Sequence, residues 1–284
     1  MDNVRVLASS DVAQTVKELF IKANHILPPC VGSSLAAAKQ KESHALAASV
    51  LGVLEDNIAV AERLDVPVCQ DTGMAIVFAE VGKDIYLTGK TLNEAIDDGV
   101  REAYLEGKLR CSVVRDPFFD RTNTGDNTPA ITYIRYCEGD KLKLTALPKG
   151  FGSENMSAIK MLKPADGVDG VLDFVVNTVK NAGPNPCPPI VVGVGIGGTF
   201  EKAAQLSKFA LMRDVGSHNE DERYAKLEEE LMARINALQI GPAGLGGSTT
   251  ALGVHVEWFP THIAGLPVAV NLCCHAYRHS SVTL

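Results

Sequence analysis

Cys69-Gln70-Asp71-Thr72-Gly73 puts a thiol, an amide, a carboxylate and a hydroxyl in line and closes them with a glycine. Before this run lies a long helical pattern, and after it an apolar stretch, Met74 to Phe78, that reads as a buried strand. Pro67 disfavours helix at Val66, so the polar group falls in the crossing from helix to sheet, where rigid scaffolds mount chemistry. The plainer alternative is a buried structural cysteine beside an Asx-type turn. Two further cysteines share this setting. Cys187 stands in Asn185-Pro186-Cys187-Pro188-Pro189, fenced by prolines that hold the backbone extended and stiff. Cys273-Cys274-His275 follows the strand pattern Val268–Leu272 close to the C-terminus.

Zinc sites usually show short Cys or His spacings, and these three loops do not. Cys273 and Cys274 do not both suit one metal, because successive side chains in extended backbone point to opposite faces. Three loop thiolates suit an iron–sulfur cluster with one iron left short of a protein ligand, open to act as a Lewis acid on a hydroxyl or carboxylate. By spacing alone, scattered core cysteines remain the commoner explanation.

Other segments carry anion-binding or nucleotide-binding outlines. Lys149-Gly150-Phe151-Gly152-Ser153-Glu154-Asn155 offers backbone N–H groups to an anion, with a helix expected behind it, although a plain glycine-rich connector is the more usual case. Gly193-Val194-Gly195-Ile196-Gly197-Gly198 follows a strand, Ile190–Val194, and satisfies G-x-G-x-x-G, the outline of an NAD(P)-dependent oxidoreductase. A mononucleotide unit then needs a strand after the helix with an acidic residue at its end. Here the helix Thr199–Met212 leads through a polar loop into another, Asp221 to Leu238, so the context fails. A second glycine-rich loop, Gly241 to Thr250, precedes a strand candidate at Ala251–Val256.

The elements that must position these groups read as mixed α/β. The first 65 residues are mostly helical: Asp11 and Gln14 start one helix, Pro28-Pro29 stop it, and a longer one from Ser43 leads into the Cys69 loop. Thr91 and Glu94 form a capping box for a helix to about Glu106. Ala130–Cys137, the turn Glu138-Gly139-Asp140 and Lys141–Leu147 read as a β-hairpin. Gly167 to Asn181 is a helix. The 284 residues allow a sizeable core in one large domain or two. With 46% hydrophobic and 21% charged residues the chain is globular, and a net charge of −7 argues against a broad nucleic-acid surface. Apolar runs fall short of the ~20 residues of a membrane span, and Met1 to Arg5 lacks the flank of a signal peptide. The cytoplasm is therefore expected, with seven cysteines present as thiols or ligands.

Taken in order, Val68-Cys69-Gln70-Asp71-Thr72-Gly73, Asn123-Thr124-Gly125-Asp126-Asn127, Lys149-Gly150 with Gly152-Ser153-Glu154-Asn155, Asn185-Pro186-Cys187-Pro188-Pro189 and Gly195-Ile196-Gly197-Gly198-Thr199 resemble the iron–sulfur hydro-lyase family over nearly the whole chain. The resemblance is to alpha subunits of two-subunit class I fumarate hydratases, with tartrate dehydratase alpha subunits as close relatives. It implies one alpha-type domain over residues 1–284, the N-terminal half of such enzymes. It also implies a [4Fe–4S] cluster on Cys69, Cys187 and Cys274, the last chosen because it stands twelve residues after His262. Asp71 and His262 would form the proton-donating pair, while Gln70, Arg110, Gly150 and Gly152 would hold the carboxylates of a dicarboxylate or hydroxy acid. The base would sit on a separate beta subunit, leaving this chain inactive alone, and a homodimer of alpha chains within a larger heteromer is expected by analogy. Two features depart from the pattern: Phe151, where many relatives carry glycine, and Cys273 beside the third ligand. A redox carrier using the cluster only for electron transfer is the remaining alternative.

Overall fold

A computed structural model describes residues 4–284; Met1 to Asn3 lie outside the described residues. The chain divides into two compact units. Unit 1 holds the chain up to Leu27, Val60–Gly150 and Arg278–Leu284, and unit 2 holds Pro28–Ala59 and Phe151–Tyr277. Both are mixed α/β, as expected.

In unit 1, strands β1 (Arg5–Ala8) and β3 (Ile85–Thr88) pair in parallel. A four-stranded sheet runs in the order β10 (Ser280–Thr283), β5 (Leu142–Lys149), β2 (Met74–Gly82), β4 (Ile131–Cys137). Helices α1 (Ser9–His25) and α4 (Leu92–Glu106) pack together and close one face of it. Val12, Val16 and Phe20 of α1 and Ile96 and Val100 of α4 are buried with Val77, Ala79 and Leu144 of the sheet. The capping box of α4 forms, Thr91 Oγ1 accepting the Glu94 N–H at 3.3 Å and Glu94 accepting the Thr91 N–H at 2.9 Å.

The expected hairpin does not form. Strand β2 inserts between β4 and β5, parallel to the first and antiparallel to the second. Its apolar run is buried on both faces, which suits a central strand. The 137–141 turn wraps the end of β2 instead: the N–H groups of Gly82, Lys83 and Asp84 donate to the carbonyls of Lys141, Cys137 and Gly139. A turn that satisfies the end of a third strand looks, in sequence, like a hairpin loop.

Unit 2 contains α2 (Pro29–Lys41), where Pro29 opens a helix rather than only ending the previous one. Helix α3 (Ala45–Leu64) crosses the division between units. The sheet order is β6 (Ala158–Leu162), β9 (Leu266–Cys273), β7 (Ile190–Gly197), β8 (Ala251–Phe259). Strands β7 and β8 are parallel and joined through α7 (Phe200–Ala210) and α8 (Glu222–Asn236), while β9 runs antiparallel to β7. Helices α6 (Gly167–Ala182) and α8 cover one face, burying Val171, Val175, Leu231 and Ile235 against Val192, Val194 and Ile196. Helix α7 covers the other face. Behind Gly150 the helix is a single turn, α5 (Phe151–Glu154), before β6 begins.

The G-x-G-x-x-G string is explained by this packing. Gly193 and Gly195 lie inside β7, where a Cβ would stand 2.2 Å from the Ser207 carbonyl oxygen and 2.1 Å from that of Ala203, both on α7. These glycines let a helix lie on a strand; they do not form a phosphate loop in the strand-to-helix turn.

His255 on β8 is buried on the α7 side, and its imidazole is pushed down to about 4, first by burial and then by the Arg213 charge. An unfolded chain titrates histidine near 6.5, so the fold holds the neutral ring. Stability is complete above that value and falls as pH drops toward 4, by about 2–3 kcal/mol from this residue. His255→Leu should therefore flatten the loss of unfolding free energy between pH 6.5 and 4; parallel curves for variant and parent would contradict this. Among the described residues, no helix is long and apolar enough to cross a membrane.

Candidate active site

Unit 1 gathers three of the singled-out segments around the Cys69–Gly73 loop. Asp71 Oδ1 accepts the Gly73 N–H at 3.0 Å, an Asx turn that fixes the carboxylate. Gly73 has φ +79°, and a Cβ there would stand 2.7 Å from the Lys149 backbone, so the end of β5 closes on the loop. Thr72 Oγ1 accepts the Arg110 N–H at 2.9 Å and donates to the Arg110 carbonyl at 3.2 Å. This anchors the backbone of Arg110 and leaves its side chain exposed. Asn127, from the Asn-Thr-Gly-Asp-Asn segment, donates to the Gly73 carbonyl at 3.1 Å and accepts the Ser112 N–H at 2.7 Å. Tyr104 Oη lies 2.9 Å from the Thr72 carbonyl and 2.8 Å from that of Gly73. Burial raises its hydroxyl pKa, which keeps it a donor.

Gly150 adjoins the carboxylate. The point where its Cβ would stand is 3.2 Å from Asp71 Oδ2 and 3.4 Å from Arg278 Nη2. Arg278 is 2% exposed, and its Nη1 donates to Asn24 Oδ1 at 2.9 Å. Asn24 in turn accepts the Val68 N–H on its carbonyl at 2.9 Å, one residue before Cys69. Asp71 and Arg278 thus both flank Gly150. Sequence reasoning did not single out Arg278, Tyr104 or Asn24. Each is far from Asp71 in the chain, and the only signal was a basic residue following the third cysteine loop. Gln70 is exposed and Cys69 half-buried beside them.

Unit 2 brings the other two cysteine loops together at one end of its sheet. Cys187 precedes the start of β7 and Cys274 follows the end of β9, and those strands run antiparallel with Val191 opposite Cys273. The Cys187 carbonyl accepts from His275 twice, from the backbone N–H at 3.4 Å and from ring Nδ1 at 3.0 Å. Cys187 itself is exposed with φ +55°, an uncommon conformation for a residue with a side chain. Gly152 belongs to the same end, since a Cβ on it would lie 3.7 Å from the Asn185 carbonyl. Cys273 is buried in β9, whereas Cys274 is half-buried beyond the strand.

His262 lies elsewhere. It opens the turn between β8 and β9, where its Nδ1 accepts the Ala264 N–H at 3.1 Å and its carbonyl the Gly265 N–H at 3.0 Å. That turn is at the opposite end of the sheet from Cys187 and Cys274, with the full length of β9 between. Asp71 belongs to unit 1 and His262 to unit 2.

None of the seven cysteines is in a disulfide. Each of the three thiols stands in a loop and is at least partly exposed, as cluster ligands are, and the Cys187 and Cys274 loops are tied to each other through His275. Among the described residues, no group of three or more His, Cys, Asp or Glu is spaced to hold a single metal ion. Thiolates on separate irons of a cluster stand wider apart than the ligands of one ion.

The sequence model of the family described as Fumarate hydratase (Fumerase) matches residues 13–283. The chain belongs to that family. Its members are hydro-lyases, and their sequence runs through both units here. Among individual relatives, a Methanocaldococcus jannaschii protein named "Putative L(+)-tartrate dehydratase subunit alpha" is 45% identical over 276 residues, 95% of this chain and 96% of its own length. Proteins of Escherichia coli K12 and Shigella sonnei, both named "L(+)-tartrate dehydratase subunit alpha", are 34% identical over 260 residues, 90% of this chain and 85% of theirs. The matches place the chain with alpha subunits of the fumarate hydratase and tartrate dehydratase group and do not divide the two substrates.

Proposed function

We propose that the chain is the cluster-bearing alpha subunit of a two-subunit fumarate hydratase, interconverting malate and fumarate with a separate beta subunit. The observation that supports this most is the convergence of Asp71, Gly150 and the Arg110 backbone on one loop beside Cys69, in a chain matched by the family from residue 13 to 283. Cys69, Cys187 and Cys274 would hold a [4Fe–4S] cluster, which when bound supplies a Lewis acid for the hydroxyl that departs.

The chain's own residues do the rest. Arg110 offers paired donors to one substrate carboxylate, and Gln70 with the N–H groups of Gly150 and Gly152 binds the other oxygens. Asp71, held by the Gly73 N–H, delivers a proton to the hydroxyl oxygen leaving C2, so that water departs. The C3 proton goes to a base on the beta subunit, leaving the double bond of fumarate. Without that subunit the alpha chain does not turn over. A cytoplasmic enzyme assembled from an alpha homodimer and two beta chains fits this reading.

Tartrate dehydration is the second reading, favoured by the names of the relatives at 34–45% identity. Co-purification with the beta subunit under nitrogen, followed by parallel assays on malate, fumarate and tartrate, separates them. The proposal expects reversible hydration of fumarate exceeding tartrate turnover; the opposite order assigns the chain to tartrate. Turnover of none of the three would overturn the hydro-lyase reading.

A further inference from the structure

Strand β8 is the outermost strand of the unit 2 sheet, with β7 on one side only. Side chains cap its free edge at both ends. At one end Asn236 Oδ1 accepts the N–H groups of Thr250 and Ala251 at 2.8 and 2.9 Å. At the other, the Val256 N–H donates to Glu228 Oε1 at 2.8 Å, and the Val256 carbonyl accepts from Asn219 Nδ2 at 2.8 Å. In a parallel strand the N–H and C=O of one residue point to the same edge, and that edge alternates along the chain. Val256 faces away from β7, so the N–H and C=O of Val254, two residues earlier, face away as well, between the caps.

A cavity of about 400 Å³ lies along this edge, walled by residues 252–255, one side of α8 and the 216–218 segment. That volume takes a small organic molecule. His255 is 1% exposed, and neither of its ring nitrogens has a hydrogen-bond partner. The carbonyls of Ala210 and Asp214 lie near the ring without making that bond. Gly253 leaves the wall bare beside it, since a Cβ there would stand 3.6 Å from His255 Nε2. Ser217 Oγ, in the same wall, is also buried and unpartnered. Buried polar atoms in this state cost free energy until something bonds them.

The lining selects for an uncharged molecule. At neutral pH the His255 ring is neutral, so one nitrogen donates and the other accepts. Glu228 and Glu229 line the cavity, whereas among the described residues no lysine or arginine does, which disfavours phosphates and carboxylates. Glu228 is already matched by Arg213 Nη1 at 2.8 Å, so the site offers no free buried anion to a cation. Met232 and Ala233 give an apolar wall for a ring. An extended peptide needs the free edge of several residues, and the caps leave little more than that of Val254.

We propose that this cavity binds an uncharged nitrogen heterocycle of purine size, whose adjacent donor and acceptor meet the Val254 C=O and N–H while its far side meets His255 Nε2 and Ser217 Oγ. The site is separate from the one around Asp71, and its occupant is not the hydroxy acid.

Calorimetric titration of the full chain with adenine and adenosine tests this and requires no turnover. Each should bind with a Kd on the order of 0.1 mM, the range of a fragment-sized ligand. Dimethylaminopurine, which lacks the amino donors, and AMP, which adds a dianion, should each bind about tenfold more weakly. Gly253→Leu should remove binding: the nearest atoms to its Cβ stand at 3.5 Å or more, so the side chain fills the cavity without a forced clash. His255→Leu should weaken binding about tenfold. Added adenine should also shift the ring-nitrogen resonances of His255 in the parent, a reading that decides the matter if Gly253→Leu fails to fold. Absence of binding by either probe at millimolar concentration would overturn the proposal, as would binding that leaves those resonances unmoved and survives both variants. Tighter binding of AMP than of adenosine would assign the cavity to anions, and displacement of adenine by a Val-Ala-Val tripeptide blocked at both ends would assign the edge to a peptide strand. Either result overturns the heterocycle.

Discussion

Replacing Asp71 with Asn should lower turnover by about a thousandfold while leaving the visible absorption of the reconstituted cluster unchanged. Asparagine keeps the size of the side chain, and its Oδ1 still accepts the Gly73 N–H that is 3.0 Å away in the parent. The Tyr104 and Asn127 bonds to the loop carbonyls and the Thr72–Arg110 pair do not involve Asp71 at all. The loop that carries Cys69 is therefore held as before, while the group that would release a proton to the leaving oxygen is gone. The alternative is that Asp71 serves only as the counter-charge of buried Arg278. In that case Asp71→Asn would leave a guanidinium unpaired in the interior, a change of several kcal/mol that loosens the loop. Loss of the absorption along with the thermal midpoint would assign Asp71 that structural role.

The cysteine variants have the next largest effect. Cys274→Ser should weaken retention of the cluster by well over tenfold, since losing a ligand exceeds the loss of a group that merely orients one. Cys273→Ser should retain it. The distinction follows from the fold: Cys273 is buried within β9, whereas Cys274 lies beyond the strand, next to the His275 that binds the Cys187 carbonyl. Retention by the Cys274 variant with loss by the Cys273 variant would move the ligand one position and turn the end of β9 over. A stable cluster in both would remove this end of the sheet from the ligand set.

Much of the fold was legible where side-chain spacing speaks for itself. The capping box at Thr91 and Glu94 and the apolar stripe of α6 set helices close to their expected places, and α8 lies within the expected Asp221 to Leu238. Helix α2 was hidden because Pro28-Pro29 signals a stop and a start with the same letters. Strands β1, β3, β6 and β10 are four or five residues long, too short for alternation to show. The pairing of β4 and β5 was misread because nothing local says that β2 will lie between them. In the site, the motifs around Asp71 were visible as strings, and Arg110 and Gly150 do meet that loop. Arg278 was not visible, because its partner Asn24 ends a helix 254 positions away. The separation of His262 from Cys274 follows from the strand between them, once that strand is given its length.

The account stands on three thiolates sharing one cluster with an open iron, and electron paramagnetic resonance tests that most directly. The parental chain, reconstituted with iron and sulfide under nitrogen and then exposed briefly to air, should lose one iron and develop the signal of a [3Fe–4S] centre. A chain that takes up no cluster, or one whose cluster keeps every iron in air as a fourth protein ligand would ensure, would contradict it.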